Sequence, residues 1–210
     1  MSYGSSSGRT GRPRTRSHSQ VTDAGAAFTE AVAGLLDVAV RDEVILAEAA
    51  APRRLAPHAT AVSARIPLPD DPDEDLASGQ LIVLFDPDGQ EGWPGRYRVV
   101  VYVHADLELE IAADPLLGPV GWSWLTDALD GRNAGYRAPS GTVTRSISES
   151  FGGKSDDERV ISFELRASWS PADDDPAAEL PRHVGAFTDV VCAAAGLPPA
   201  GVSNLRPSRA

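Results

Sequence analysis

In the segment Val103-His104-Ala105-Asp106 a histidine and an aspartate stand two residues apart. On a strand the two would share one side, and an imidazole held by a carboxylate is the base half of a general acid–base site. No nucleophile accompanies them in the sequence, and a single His–Asp pair without one does not specify catalysis. A second constellation lies in Thr142–Phe151. The even positions Thr142, Thr144, Ser146, Ser148 and Ser150 are hydroxyls, and the odd positions are Val143, Arg145, Ile147, Glu149 and Phe151. If the odd side lies on the core, Arg145 and Glu149 are charges about 13 Å apart that need partners. They read either as ion pairs at the rim of a sheet or as the wall of a polar site for an anionic or peptide-like ligand. The hydroxyl ladder reads as a solvated face or as a hydrogen-bonding one.

Two of the four tryptophans, Trp122 and Trp124, lie in Gly118–Leu129. Pro119 and Ser123 are helix-start signals, Leu125, Ala128 and Leu129 have helical spacing, and Gly131 is a stop. The segment therefore predicts a helix of about three turns, with the tryptophans on different sides. Trp122 lines up with Leu125 and Leu129 toward a sheet. Trp124 points elsewhere, against a second helix or as an aromatic anchor for a partner.

Other chemistries lack their residues. There is no G-x-G-x-x-G, phosphate-loop or G-x-S-x-G pattern, and His18, His58, His104 and His183 are isolated from one another. Asp86 and Asp88 suggest a calcium loop, but Gly89 comes too early and Tyr97 stands where a glutamate is required. The single cysteine, Cys192, sits among valines and alanines and reads as a core residue. No metal and no cofactor is expected.

The elements that would position these residues can be read from periodicity. Phe28, Val32, Leu35 and Leu36 mark a first helix that begins at a Thr22 or Asp23 cap. Val44–Leu46 reads as an edge strand or ordered loop. ATAVSARIPL is a strand, and QLIVLFD and RYRVVVYVHA form a hairpin with a long loop. After the tryptophan helix, SGTVTRSISESF and RVISFELRASWS make a second hairpin joined by GGKSDDE. A helix with the stripe Val184, Phe187, Val191 and Ala194 closes the domain at Gly196 and Pro198. The fold class is α+β: a single antiparallel sheet of five to six strands, with three helices packed mainly on one face. The order, helix, three or four strands, helix, two strands, helix, resembles the type III secretion chaperone-like topology.

Charge divides the chain of 210 residues, whose formal net charge is −11. Residues 1–20 hold Arg9, Arg12, Arg14 and Arg16 and no acid, in a Ser/Gly-rich context expected to be a disordered tail. Residues 21–198 are expected to be a single domain and 199–210 a loose C-terminal tail. The acidic remainder disfavours broad nucleic-acid binding, so nucleic acid would engage only through the arginine tail. No membrane-spanning run and no secretory leader is apparent, and a cytoplasmic location is expected.

At DPLLGPVGWSWLTDAL, SGTVTRSISESFGG and AAAGLPP, and again at PRRLAPHA and ADLELEIAADPLL, the chain resembles a family of uncharacterised actinobacterial proteins, the domain of unknown function numbered three thousand. The resemblance covers roughly residues 26–198 and supplies no activity or catalytic residue. Its members are often encoded beside a ribonuclease D-like exonuclease, so the resemblance implies an RNA-processing context. Three functional expectations follow. The first is a non-enzymatic protein-binding or adaptor module, homodimeric or holding a protein partner, that uses the sheet and Trp122/Trp124. The second is a small-ligand binder or enzyme at Arg145, Glu149, His104 and Asp106. The third is an RNA-processing accessory acting through the tail.

Overall fold

The computed structural model describes residues 18–152, 160–173 and 176–199. Residues 1–17 of the arginine tail, all but Gly152 of the hairpin's GGKSDDE and residues 200–210 of the C-terminal tail lie outside the described residues; His18, Ser19 and Gln20, assigned to the tail by composition, open the first helix. Helix α1 is His18–Val32 and strands β1–β4 are Ile45–Ala49, His58–Pro67, Asp75–Phe85 and Tyr97–Asp106. Short helix α2 (Leu109–Ala112) and helix α3 (Leu117–Gly131) follow, then β5 (Tyr136–Ser148), β6 (Val160–Pro171) and α4 (Leu180–Ala194). The class is α+β, as the dominance of strand hairpins over strand–helix–strand units predicts. Among the described residues four α-helices form instead of three, because LEIA makes one additional turn. Helix α1 starts four residues ahead of Thr22.

All strand pairs are antiparallel, and the sheet order is β1-β2-β3-β4-β6-β5. Strand alternation then sorts the side chains into faces. One row across the sheet runs Val62, Leu81, Val101, Ala167, Gly141, and the next runs Ala64, Gly79, Val103, Leu165, Val143. Both rows lie on the helix-covered face, and all the apolar members are core residues or packed against the core. On the other face, residues such as Ser63, Ile82, Val100 and Tyr102 are only half-buried.

Helix α4 lies across β2, β3 and β4, while α3 covers β5 and packs against α4. The sequence stripe of α4 is too narrow a description. Leu180, His183, Gly185, Ala186, Thr188, Val190 and Cys192 are buried as well, so the helix is enclosed almost all round. In α3 the buried stripe is Leu117, Gly121, Leu125 and Leu129, four residues apart. Gly121 therefore occupies the centre line assigned to Trp122, because only a residue without Cβ fits there. A Cβ at Gly121 would stand 2.6 Å from Cε2 of Phe163, which is itself fully buried. Burying a phenylalanine of that kind contributes about 1.5–3 kcal/mol.

Candidate functional site

The sheet separates the residues that sequence spacing singles out. Arg145 pairs in register with Phe163 and therefore lies on the helix face. Its Nη1 donates to the Ala112 carbonyl at 3.0 Å and the Asp114 carbonyl at 2.7 Å. The guanidinium thus serves the carbonyls where α2 ends and α3 approaches; the Asp114 carbonyl also accepts from the Leu117 N–H at 3.2 Å. Glu149 is exposed, just past the end of β5.

His104 and Asp106 lie on the opposite, outer face. Nε2 of His104 is 3.5 Å from Oδ1 of Asp106. His104 stands in register between Ser78 and Glu164, and its Nδ1 is buried with no hydrogen-bond partner among the described residues. Next to it, the Tyr102 hydroxyl donates to Oε1 of Glu164 at 3.1 Å, and Nη2 of Arg166 lies 3.0 Å from Oε2 of the same carboxylate. The Arg166 guanidinium also sits 5.3 Å from the Tyr102 ring centroid. Partial burial and then Glu164 raise the Tyr102 phenol above its ordinary value. Tyr102, Glu164 and Arg166 satisfy one another on a sheet surface. Since Arg145 is on the other side of that sheet, no one cleft holds both Arg145 and His104.

The tryptophans divide as well. Trp122 covers Gly141 on β5, where a Cβ would come within 2.8 Å of its Cζ3. Trp124 reaches the core, with its ring centroid 5.4 Å from that of Phe163. Its other side lines a cleft of about 470 Å³ between α3 and α4, with Arg41, Asp127, Arg132, Asp189, Cys192 and Pro198. The cations there are already engaged. Arg132 makes a two-pronged pair with Asp189 at 2.6 and 2.7 Å, which raises the arginine's pKa. Arg41 is held by Glu43 and by the Pro198 carbonyl. Burial pushes the Cys192 thiol up to about 11, which leaves it a poor nucleophile.

Sequence reasoning missed Arg98, Tyr102, Glu164 and Arg166. Their signal was available: Arg98, Val100, Tyr102, His104 and Asp106 are the outward positions of β4, between the inward Val99, Val101 and Val103. The pairing of Arg132 with Asp189 had no such signal, because Arg132 caps the end of α3 and Asp189 lies in α4, 57 residues further on.

Among the described residues no group of three His, Cys, Asp or Glu side chains is arranged to hold a metal, and no helix is long and apolar enough to cross a membrane. The fold and these surfaces define an α+β domain with one open antiparallel sheet, helices on one face and a polar second face. Residues 24–203 match the family described as "Protein of unknown function (DUF3000)", and the chain belongs to that family. No curated protein and no solved structure matches it.

Proposed function

We propose that this domain is a protein-binding module that associates with a second copy of itself. The observation that carries the reading is the distribution of exposed apolar side chains. Ile111 on α2, Leu116 and Val120 at the start of α3, and Ile147 and Phe151 at the end of β5 are all exposed, Phe151 by 78% and Leu116 by 62%. Arg145 ties these elements to one another through Ala112 and Asp114. Leu116 and Val120 are one helical turn apart and continue toward Trp124 along the same side of α3. Exposed apolar groups on elements that Arg145 joins favour an interaction surface, since each leaves area that association would remove from water. A two-fold contact is self-complementary by construction, so one such patch suffices for a dimer.

The test is the mass in solution, by size exclusion with light scattering, at protein concentrations of about 1–100 µM, a range that spans binding energies near 7 kcal/mol. A dimer that Leu116→Glu with Val120→Glu converts to a monomer, at unchanged thermal stability, supports the reading. A wild-type protein that stays monomeric throughout overturns it.

A further inference from the structure

Arg98 is the most unusual charge in the molecule. It lies on the outer face of β4 and is only 9% exposed. Nη1 donates to the Ala138 carbonyl at 3.2 Å. Nη2 donates to Oγ of Ser140 at 3.3 Å, to the Ser168 carbonyl at 3.1 Å and to Oγ of Ser168 at 2.7 Å. Every one of these acceptors is neutral. Among the described residues no carboxylate lies within ion-pair distance of the guanidinium, and its Nε–H meets no acceptor. Burial alone acts on its titration, lowering it from the ordinary arginine value. A cation withdrawn from water and given only dipoles is costly, and buried charges are ordinarily paired.

One role for Arg98 is structural. Ala138 has a positive φ of 46°, and the register of β5 on β6 slips between Arg137 and Ser140. The guanidinium holds that irregularity in place. Holding it needs donors and does not need an unneutralised charge.

The surroundings supply the rest. Arg98 lines a hollow of about 430 Å³ with Leu55, Leu84, Gln90, Trp93, Val100 and Ser168. A second hollow, of about 240 Å³, adjoins it through the shared Val100 and Ser168 and is bordered by Ser140, Thr142 and Arg166. The guanidinium reaches the shared Ser168 and, in the second hollow, Ser140, so it sits where the two meet. The result is a shallow trough with apolar walls at one end and unpaired positive charge at its middle. Its first hollow has the size of small-molecule sites.

We propose that this trough binds a carboxylate carried on an aromatic or branched aliphatic body. The carboxylate lies on Arg98 and takes the free Nε–H, and the body rests on Leu84, Val100 and Trp93. The site is on the outer face of the sheet, so it stands or falls independently of the dimer proposed above.

The experiment uses the full chain and follows the Arg98 Nε–H and Trp93 indole signals by ¹⁵N NMR during titration with 3-phenylpropionate. Saturable shifts of both are expected, with a Kd between about 10 µM and 1 mM. The uncharged 3-phenylpropionamide should bind at least about tenfold more weakly, a difference of about 1.4 kcal/mol. Inorganic phosphate, which cannot use the walls, should bind more weakly too. Removing Arg98 risks the β5 irregularity, so the decisive variants change its neighbour. Ser168→Asp places a carboxylate where an oxygen already lies 2.7 Å from Nη2. It should abolish binding of the acid and raise Tm relative to Ser168→Asn. A short peptide ending in leucine distinguishes sources: tighter binding than the free acid assigns the carboxylate to a peptide terminus, and weaker binding assigns it to a free acid. Absence of saturation with both, equal affinity for the amide or for phosphate, or acid binding retained in Ser168→Asp overturns the proposal.

Discussion

The indole N–H of Trp169 donates a 3.1 Å hydrogen bond to Nδ1 of His183, and both side chains are fully buried. The bond fixes the tautomer: Nδ1 accepts, so Nε2 carries the proton. Nε2 is buried with no partner among the described residues. The imidazole is therefore held neutral. Burial first, and the nearby Arg182 second, hold its pKa down to about 4 from 6.5.

The sign of the pH effect follows from that depression. Between pH 6.5 and 4 the unfolded chain binds a proton that the folded chain does not, so stability falls as pH drops through this window. The full effect of His183 is about 3 kcal/mol and levels off below about pH 4. Thermal unfolding followed between pH 7.5 and 4 should show the decline. His183→Asn retains an acceptor but cannot titrate. It should be less stable at pH 7 and should lose most of the slope between pH 6.5 and 5. An identical slope in wild type and variant would assign the pH dependence to other groups.

Gly121→Ala tests the seat of α3. Alanine favours a helix interior over glycine by about 1 kcal/mol, yet here its Cβ would collide with the buried Phe163 ring. Overpacking of this kind costs about 1–3 kcal/mol, so the expected net effect is a loss of stability. Gly118→Ala, where an added Cβ meets nothing within 4 Å, is the internal control and should be neutral or stabilising. Chemical denaturation of both variants decides the matter, and a stabilised Gly121→Ala would show that α3 can lift without cost.

Arg145→Met removes the donor that serves the Ala112 and Asp114 carbonyls while keeping most of the side chain's length. The expected loss is about 1–2 kcal/mol. It should be local, with faster amide hydrogen exchange in α2 and the first turn of α3 and little change in α4. Uniform acceleration throughout the domain would contradict a local clasp.

Cys192 faces the α3–α4 cleft but is nearly buried, and its thiol is pushed up to about 11. Native protein at pH 8 should react with iodoacetamide roughly a hundredfold more slowly than a free thiol, since only the thiolate attacks. Unfolding in denaturant should restore the ordinary rate. Fast labelling of the folded protein would mean that the cleft opens far enough to solvate the sulfur.

Much of the fold was legible because period two and period 3.6 are local properties. Ile161, Phe163, Leu165, Ala167 and Trp169 all face the core in β6, as their alternation requires. Trp122-Ser123-Trp124 is helical, as Pro119 and the leucine spacing require. The site was less legible. His104 and Asp106 were placed correctly on one side of their strand. That Arg145 would lie beyond the sheet from them depends on which strands meet.

Periodicity states which side of its own element a residue occupies, and for this chain that was enough to give the class of fold, the inward faces of the strands and the helical tryptophan segment. It carries no information about which element stands alongside. The placing of β6 between β4 and β5 set Glu164 beside His104, and the crossing of α3 by α4 brought Asp189 to Arg132. Those choices belong to chain closure and to the mutual fit of whole surfaces, which sum weak contacts from distant segments. Arg98 shows the difference most clearly: strand alternation puts it on the outward side of β4, and only the assembled sheet encloses it without a counter-charge.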